Sequence, residues 1–192
     1  MLRDIAITFG NRADAFEGAD ANLVMDEDTF RAFYERTARG VWAYLARVTG
    51  DRQLADDLLQ EAYYRFLRAN ATHETETHRR NSLYRIATNL ARDARRKSLI
   101  RSVTFLAGDT IESAPSLRET GVTERVADCA HALARLQPRE RAMLWLAYAE
   151  GASHREIASI LGLTPASLKT LLFRARHKLA VLLGAARDGG RP

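Results

Sequence analysis

Between Ser153 and Pro165 the chain carries three helix punctuation signals in a row, and their order restricts this stretch to one supersecondary unit. Ser153 followed by Glu156 is a capping box, in which each side chain satisfies a backbone N–H that the first turn of a helix leaves open. Ile157, Ala158, Ile160 and Leu161 then give that helix an apolar stripe. Gly162 supplies the left-handed residue that ends it, and Leu163 can fold back between two helices. Thr164 caps a second helix whose first residue is Pro165, where a missing N–H costs nothing. A short helix, a tight turn and a longer helix in succession form a helix-turn-helix over roughly 153–178, a unit that docks on double-stranded DNA.

The second of these helices, 165–183, turns Leu168, Leu172, Ala175 and Leu179 inward and leaves Ser167, Lys169, Thr170, Arg174, Arg176 and Lys178 outside, a face without an acid. Its first turns offer Pro165, Ala166, Ser167, Lys169 and Thr170 to base edges and nearby phosphates, as a recognition helix does, and Arg155 joins them from the preceding helix. If Lys169, Arg174, Arg176 and Lys178 each meet a phosphate, the salt slope is about −3.6, which predicts weak binding by this unit alone.

The rest of the chain is helical by the same criteria. Its 192 residues permit one domain or two small ones, and an 8% aromatic content with only four prolines favours helix over sheet. From Asp28, the apolar residues Phe30, Phe33, Tyr34, Val41, Leu45 and Val48 recur at three- and four-residue steps up to Gly50. A second helix over 52–69 turns Leu54, Leu58, Ala62, Phe66 and Leu67 inward. A third over 82–97 does the same with Leu83, Ile86, Ala87 and Leu90. The polar stretch 70–81, with His73, Glu74, Glu76, His78, Arg79 and Arg80, has no apolar period and reads as an exposed loop. Periodicity lapses again over 98–122, which contains Gly108 and Pro115 and is too long for a loop inside a compact domain. It resumes through Val126, Ala130 and Leu133, and Pro138 opens a further helix with Met143, Leu144, Leu146 and Ala147 that closes at Gly151. The expected fold is therefore all-α: two small helical domains, 26–97 and 123–184, joined by a flexible linker, with an N-terminal extension 1–25 and a C-terminal tail 185–192.

Charge is more informative in its distribution than in its sum of +5. Arg79, Arg80, Arg85, Arg92, Arg95, Arg96, Lys97 and Arg101 concentrate base around the third helix, where Arg85, Asn89 and Arg92 share a face that Arg96 continues. A nucleic acid backbone can lie along it. The second helix has the opposite character: Asp56, Asp57, Gln60 and Glu61 cluster beside Leu59, read as exposed, on a surface that repels DNA and suits a protein partner. The single cysteine, Cys129, lies on an apolar stripe with Val126, Ala130 and Leu133, excludes an intrachain disulfide, and fits a reducing cytoplasm. No segment has the continuous apolar stretch of a signal peptide or membrane span, so a soluble cytoplasmic protein without membrane insertion is expected. The five histidines are scattered, only His73 and His78 being able to meet in one loop, and neither a metal, another cofactor nor a catalytic site is expected.

Two sets of motifs resemble a known family. Ala55-Asp56-Asp57-Leu58-Leu59-Gln60-Glu61-Ala62-Tyr63 and Leu83-Tyr84-Arg85-Ile86-Ala87-Thr88-Asn89-Leu90-Ala91-Arg92-Asp93 resemble region two of extracytoplasmic-function sigma factors. Leu133 through Arg141, Glu150-Gly151, Glu156-Ile157-Ala158 and Phe173-Arg174-Ala175-Arg176 resemble region four. The resemblance covers 28–183 apart from the linker and implies a bacterial initiation subunit, not an enzyme, that binds core RNA polymerase and directs it to promoter DNA. It implies that Asp56, Asp57, Leu59, Gln60 and Glu61 belong to the surface that grips the coiled coil of the polymerase's largest subunit. It places Arg79, Arg80, Asn81, Arg85, Thr88, Asn89, Arg92 and Arg96 on the minus-ten element. It gives the minus-thirty-five element to the helix-turn-helix, through Arg155, Pro165, Ala166, Ser167, Lys169, Thr170, Arg174, Arg176 and Lys178. An anti-sigma factor is a further partner implied by the family. The chain departs from the family at Ser82, where tryptophan is usual, and at Leu171, commonly arginine; residues 1–25 resemble nothing familiar. The competing reading is a helix-turn-helix transcription regulator whose first domain senses a signal or dimerises.

Overall fold

A computed structural model of the chain describes residues 25–69, 75–104 and 124–188. Residues 1–24 of the N-terminal extension, most of the 98–122 linker, His73 and the end of the C-terminal tail lie outside the described residues. Seven helices and no strand are present among those described: α1 Glu27–Thr49, α2 Arg52–Arg68, α3 Glu76–Thr104, α4 Glu124–Ala134, α5 Pro138–Tyr148, α6 His154–Leu161 and α7 Pro165–Asp188.

Local chemistry accounts for where the first three begin. The carboxylate of Asp26 accepts the N–H of Thr29 at 2.9 Å and, with Glu27 and Asp28 following, sets a negative first turn against the helix dipole of α1. Asp51 does the same for α2 through the N–H of Leu54 at 3.0 Å. The third helix starts earlier than the sequence pattern suggests, because 76–81 is helix and not loop. The Thr75 hydroxyl caps it through the N–H of His78 at 3.1 Å, and Glu76 holds Arg79 at 3.2 Å and Arg36 of α1 at 3.0 Å. Its far end also differs, since α3 runs to Thr104, past the expected end at 97.

α1, α2 and α3 enclose an aromatic core. Phe33, Val41, Tyr44, Leu45, Ala55, Ala62, Tyr63, Leu83 and Ala87 are completely buried there. Phe33 stacks on Phe66 with centroids 5.2 Å apart, and Tyr44 meets Tyr84 edge-on at 5.3 Å. Each buried phenol has a partner: Tyr63 and Thr37 share a hydrogen bond of 2.6 Å, and Tyr44 and Thr88 one of 2.7 Å. These pairs remove the penalty of burying an unsatisfied hydroxyl. α5, α6 and α7 pack around Met143, Leu146, Ile157, Ile160, Leu161, Leu168 and Ala175, and α4 lies against α7. Cys129 of α4 is half-buried.

The sequence pattern gave no sign that the two helical blocks would meet. α1 packs on α5 and α3 on α6, so the buried residues of both blocks form one continuous cluster.

Candidate nucleic-acid interface

The helix-turn-helix is assembled by the signals that announced it. Ser153 and Glu156 close the capping box reciprocally, the serine N–H donating to the carboxylate at 2.7 Å and the Glu156 N–H to the serine hydroxyl oxygen at 3.3 Å. Those hydrogen bonds from Ser153, with Asn81 and Arg80 nearby, hold the Glu156 carboxyl below the usual carboxylate range. Gly162 ends α6 at φ 65°, and the N–H of Leu163 returns to the Ala158 carbonyl at 2.8 Å. Thr164 then accepts the N–H of Ser167 at 3.3 Å to start α7.

A Cβ at residue 162 would meet no atom within 4 Å, so a substitution there acts through the backbone alone. Gly162→Val is therefore expected to cost about 2 kcal/mol from the left-handed conformation imposed on a β-branched residue. Loss of sequence-dependent binding to duplex DNA, with the thermal melting temperature lowered by several degrees, is the expected measurement. An unchanged melting temperature would show that the turn does not depend on this glycine.

On α7, Leu168, Leu172 and Ala175 are buried, while Pro165, Ala166, Ser167, Lys169, Thr170, Arg174, Arg176 and Lys178 are exposed, as is Arg155 on α6. Two of these cations already have partners. Lys178 donates to Glu140 of α5 at 2.9 Å, and Arg176 to the Tyr148 hydroxyl at 3.3 Å. Burial pushes the Glu140 carboxyl up, and hydrogen bonds from Lys178 and the Gln137 N–H more than offset that and hold it below its ordinary value. Among the described residues, Lys169, Arg174 and Arg155 are the exposed cations of this surface that make no hydrogen bond or ion pair within the chain.

The basic face of α3 divides in two. Arg85 and Asn89 are exposed, and Arg96 is exposed and paired with Asp93 at 3.1 Å. Arg79 is drawn inward, with its guanidinium 5.9 Å above the Phe33 ring and bonded to Glu76. Arg80, Asn81 and Arg92 point at the other block: Arg80 donates to the Glu150 carbonyl at 3.2 Å, Asn81 to the Glu156 carboxylate at 3.1 Å, and Arg92 to the Leu161 carbonyl at 2.6 Å. Thr88 does not belong with them. It is 3% exposed, donates back to the Tyr84 carbonyl at 2.7 Å and meets the Tyr44 hydroxyl. Its side chain is on the core side of α3, with Tyr84, Ala87 and Ala91.

The acidic face of α2 also needs one correction. Leu59 is 5% exposed, because Ala55, Leu58, Leu59, Ala62, Tyr63 and Phe66 form the buried stripe that packs on α1 and α3. Asp57 and Gln60 are exposed. Glu61 is tied to Arg65 at 2.6 Å, and Asp56 is half-buried, accepting from the Trp42 indole at 2.7 Å. Trp42, with the Arg52 guanidinium 5.5 Å above its ring, positions Asp56, and sequence reasoning missed it. A tryptophan in the middle of an amphipathic helix, beside an acid-rich neighbour, is the signal that could have found it. Glu150 and Trp145, which join the two blocks, were missed too. No group of three or more metal-ligating side chains occurs among the described residues, and none of the described helices is alone long and apolar enough to cross a membrane.

Comparison with known proteins bears on both blocks. Residues 33–99 match the family described as Sigma-70 region 2, and residues 130–179 the family described as Sigma-70, region 4. The RNA polymerase sigma factor CarQ of Myxococcus xanthus is 31% identical over 161 residues, which are 82% of this chain and 91% of that protein. The ECF RNA polymerase sigma factor SigL of Mycobacterium tuberculosis is 31% identical over 157 residues, 80% of this chain and 88% of SigL. Among solved structures, the sigma factor RpoE of Bartonella quintana, crystallised with the anti-sigma factor NepR, shares the fold at a TM-score of 0.70 and 23% identity, over 81% of this chain and 96% of that one. With both regions matched in order and relatives at this identity aligned over nearly their whole length, the chain belongs to the ECF RNA polymerase sigma factors.

Proposed function

We propose that this chain is an ECF-type sigma factor that binds core RNA polymerase and directs it to promoters, where it supports strand opening and transcription initiation. The observation that carries this reading is the pairing of two differently charged surfaces on the two matched regions. Asp57 and Gln60 stand exposed on α2, and the recognition face of α7, acid-free over 165–183, stands exposed on the other block. The first suits a protein partner and repels DNA; the second suits the major groove. We assign the polymerase contact to Asp56, Asp57, Gln60 and Glu61, the minus-ten strand to the α3 face from Arg79 to Arg96 without Thr88, and the minus-thirty-five duplex to Arg155 and the outer face of α7. Capturing an unpaired base on one strand needs a basic track, and reading a duplex needs a helix in the groove, so the work divides naturally between the blocks. Affinity then comes from the two DNA contacts and polymerase acting together.

The domain plan this implies is a polymerase- and minus-ten-binding unit from 26, a connecting segment up to 122 and a minus-thirty-five unit over 123–184. The chain acts by binding in the cytoplasm and performs no chemistry of its own. An anti-sigma protein, of the kind that accompanies the Bartonella relative, is the expected inhibitor.

In vitro transcription of genomic DNA by core polymerase, with and without the chain, tests the reading. Discrete start sites that appear only when the chain is added are expected. Duplex binding by the chain together with an unchanged start-site map would refute the sigma assignment in favour of a conventional helix-turn-helix regulator.

A further inference from the structure

We infer that the chain has a binding site for a small amphipathic carboxylate, an apolar tail ending in one acid group, in the cavity where α4, α5 and α7 meet the end of α1. None of the measurements that test it involves DNA or polymerase, so the site stands or falls apart from the promoter assignment.

The walls come from three helices that turn apolar side chains toward a common space. Leu133 of α4, Leu144 and Trp145 of α5 and Leu179 of α7 line a cavity of about 370 Å³. Protein interiors ordinarily close to crystal-like density with few voids larger than a water molecule, so a space of this size departs from ordinary packing. It lies at the lower end of the range for small-molecule sites. An apolar cavity of about 150 Å³ takes one benzene ring, so this one has room for a molecule of about ten to fifteen heavy atoms. Water is a poor occupant of such walls, which offer it few hydrogen-bond partners.

Arginines set this cavity apart from a plain packing gap. Arg47 of α1, Arg141 of α5 and Arg176 of α7 also line it, and among the described residues none of the three is paired with a carboxylate. Arg47 rests on the Trp145 ring at 5.9 Å, and Arg176 donates to the neutral Tyr148 hydroxyl at 3.3 Å. Arg141 is half-buried, and its Nε is buried without a hydrogen-bond partner. Desolvation, with the like charge of Arg95 on α3, lowers its affinity for the proton. Three cations around one apolar space leave a positive potential that an anion relieves, and the planar guanidinium fork matches a carboxylate. An unmet donor on a desolvated cation costs stability, which makes Arg141 the arginine with most to gain from that partner. A free inorganic anion would satisfy the arginines and leave the leucine walls uncovered, and a neutral hydrocarbon would do the reverse. A molecule with both parts uses the whole surface.

Cys129, the single cysteine of the chain, lines the same cavity and is half-buried, so it reports on occupancy. The full chain is alkylated with N-ethylmaleimide at fixed salt and followed by intact-mass spectrometry, with octanoate, octanol or acetate as the added probe. Octanoate is expected to slow alkylation with a half-effect at about 1 mM, as a ligand of about ten heavy atoms allows. Octanol, which has the tail without the acid, should need at least about tenfold more, and acetate, which has the acid alone, should have no effect. Arg141→Met replaces an uncompensated, partly buried charge by an apolar side chain and should fold. It should raise the octanoate half-effect about tenfold and leave that of octanol unchanged. Octanoate that leaves the wild-type rate within about twofold up to about 20 mM would overturn the site. So would equal half-effects of octanoate and octanol on wild type, a comparison independent of how the variant folds. A folded Arg141→Met that responds to octanoate as wild type does would overturn the recognition of the acid by this arginine.

Discussion

Asp57→Arg is expected to weaken binding to core RNA polymerase by about a hundredfold or more, while leaving the fold and duplex DNA binding intact. The side chain is exposed on α2 and takes no part in the buried stripe of that helix, so the change in stability should stay within about 0.5 kcal/mol. The neighbouring acids are not equally free. Asp56 is held by Trp42 and Glu61 by Arg65, which leaves Asp57 and Gln60 as the pair with the fewest internal obligations on this face. Losing one member of a desolvated charge pair costs about 2 to 5 kcal/mol at an interface, and an introduced cation adds like-charge repulsion to a partner surface that selected an acid. Pull-down or anisotropy titration with core polymerase measures the loss, and the same preparation binding duplex DNA at wild-type affinity shows that the helix-turn-helix survives. Retained polymerase affinity would remove this face of α2 from the interface.

What could be read from the sequence was governed by the range of the interactions involved. The helix-turn-helix was legible almost to the residue, since a capping box, a left-handed glycine and a second cap are all satisfied within a few positions of themselves. The inward face of α7 was legible for the same reason, through the period of Leu168, Leu172, Ala175 and Leu179. Failures occurred where a neighbouring helix decides the outcome. Leu59 stands among acids in sequence, a setting that predicts exposure, yet it continues the row of Ala55 and Tyr63 that faces α1. Thr88 is polar in sequence, but its hydroxyl bonds back to Tyr84 and sideways to Tyr44, so its burial leaves no polar group unsatisfied. Residues 76–81 have no apolar period, and their helix is held by Glu76, which Arg36 of α1 grips, and by the Thr75 cap. The contact between the two blocks joins residues as far apart as Arg92 and Leu161, and no local pattern encodes it.

Those same long-range contacts lead to a second large effect, on stability in alkali. Three of the six tyrosines, Tyr44, Tyr63 and Tyr84, are buried with 2% exposure or less. Burial pushes the Tyr44 phenol up to about 12, its hydrogen bond with Thr88 offsetting only part of the rise. Burial raises Tyr63 as well, and in Tyr84 burial is reinforced by the hydrogen bond to the Glu150 carboxylate and by its charge. In the unfolded chain each phenol loses its proton near pH 10. Below that pH both states are protonated and these groups leave stability unchanged; above it the folded chain retains three protons that the unfolded chain has released. Stability should therefore fall by about 4 kcal/mol per pH unit once the pH passes 10, which exhausts a typical 5 to 15 kcal/mol within a few units. The expected result is that tyrosinate absorbance from these three residues and loss of helical circular dichroism appear in one cooperative step. Tyr44→Phe should make that step shallower by about a third, because one of the three protons is gone. It should cost little at neutral pH, since Thr88 keeps the Tyr84 carbonyl as an acceptor. Gradual formation of all the tyrosinates with the helices intact would mean that these phenols are open to solvent and that the aromatic core of α1, α2 and α3 is not packed as described.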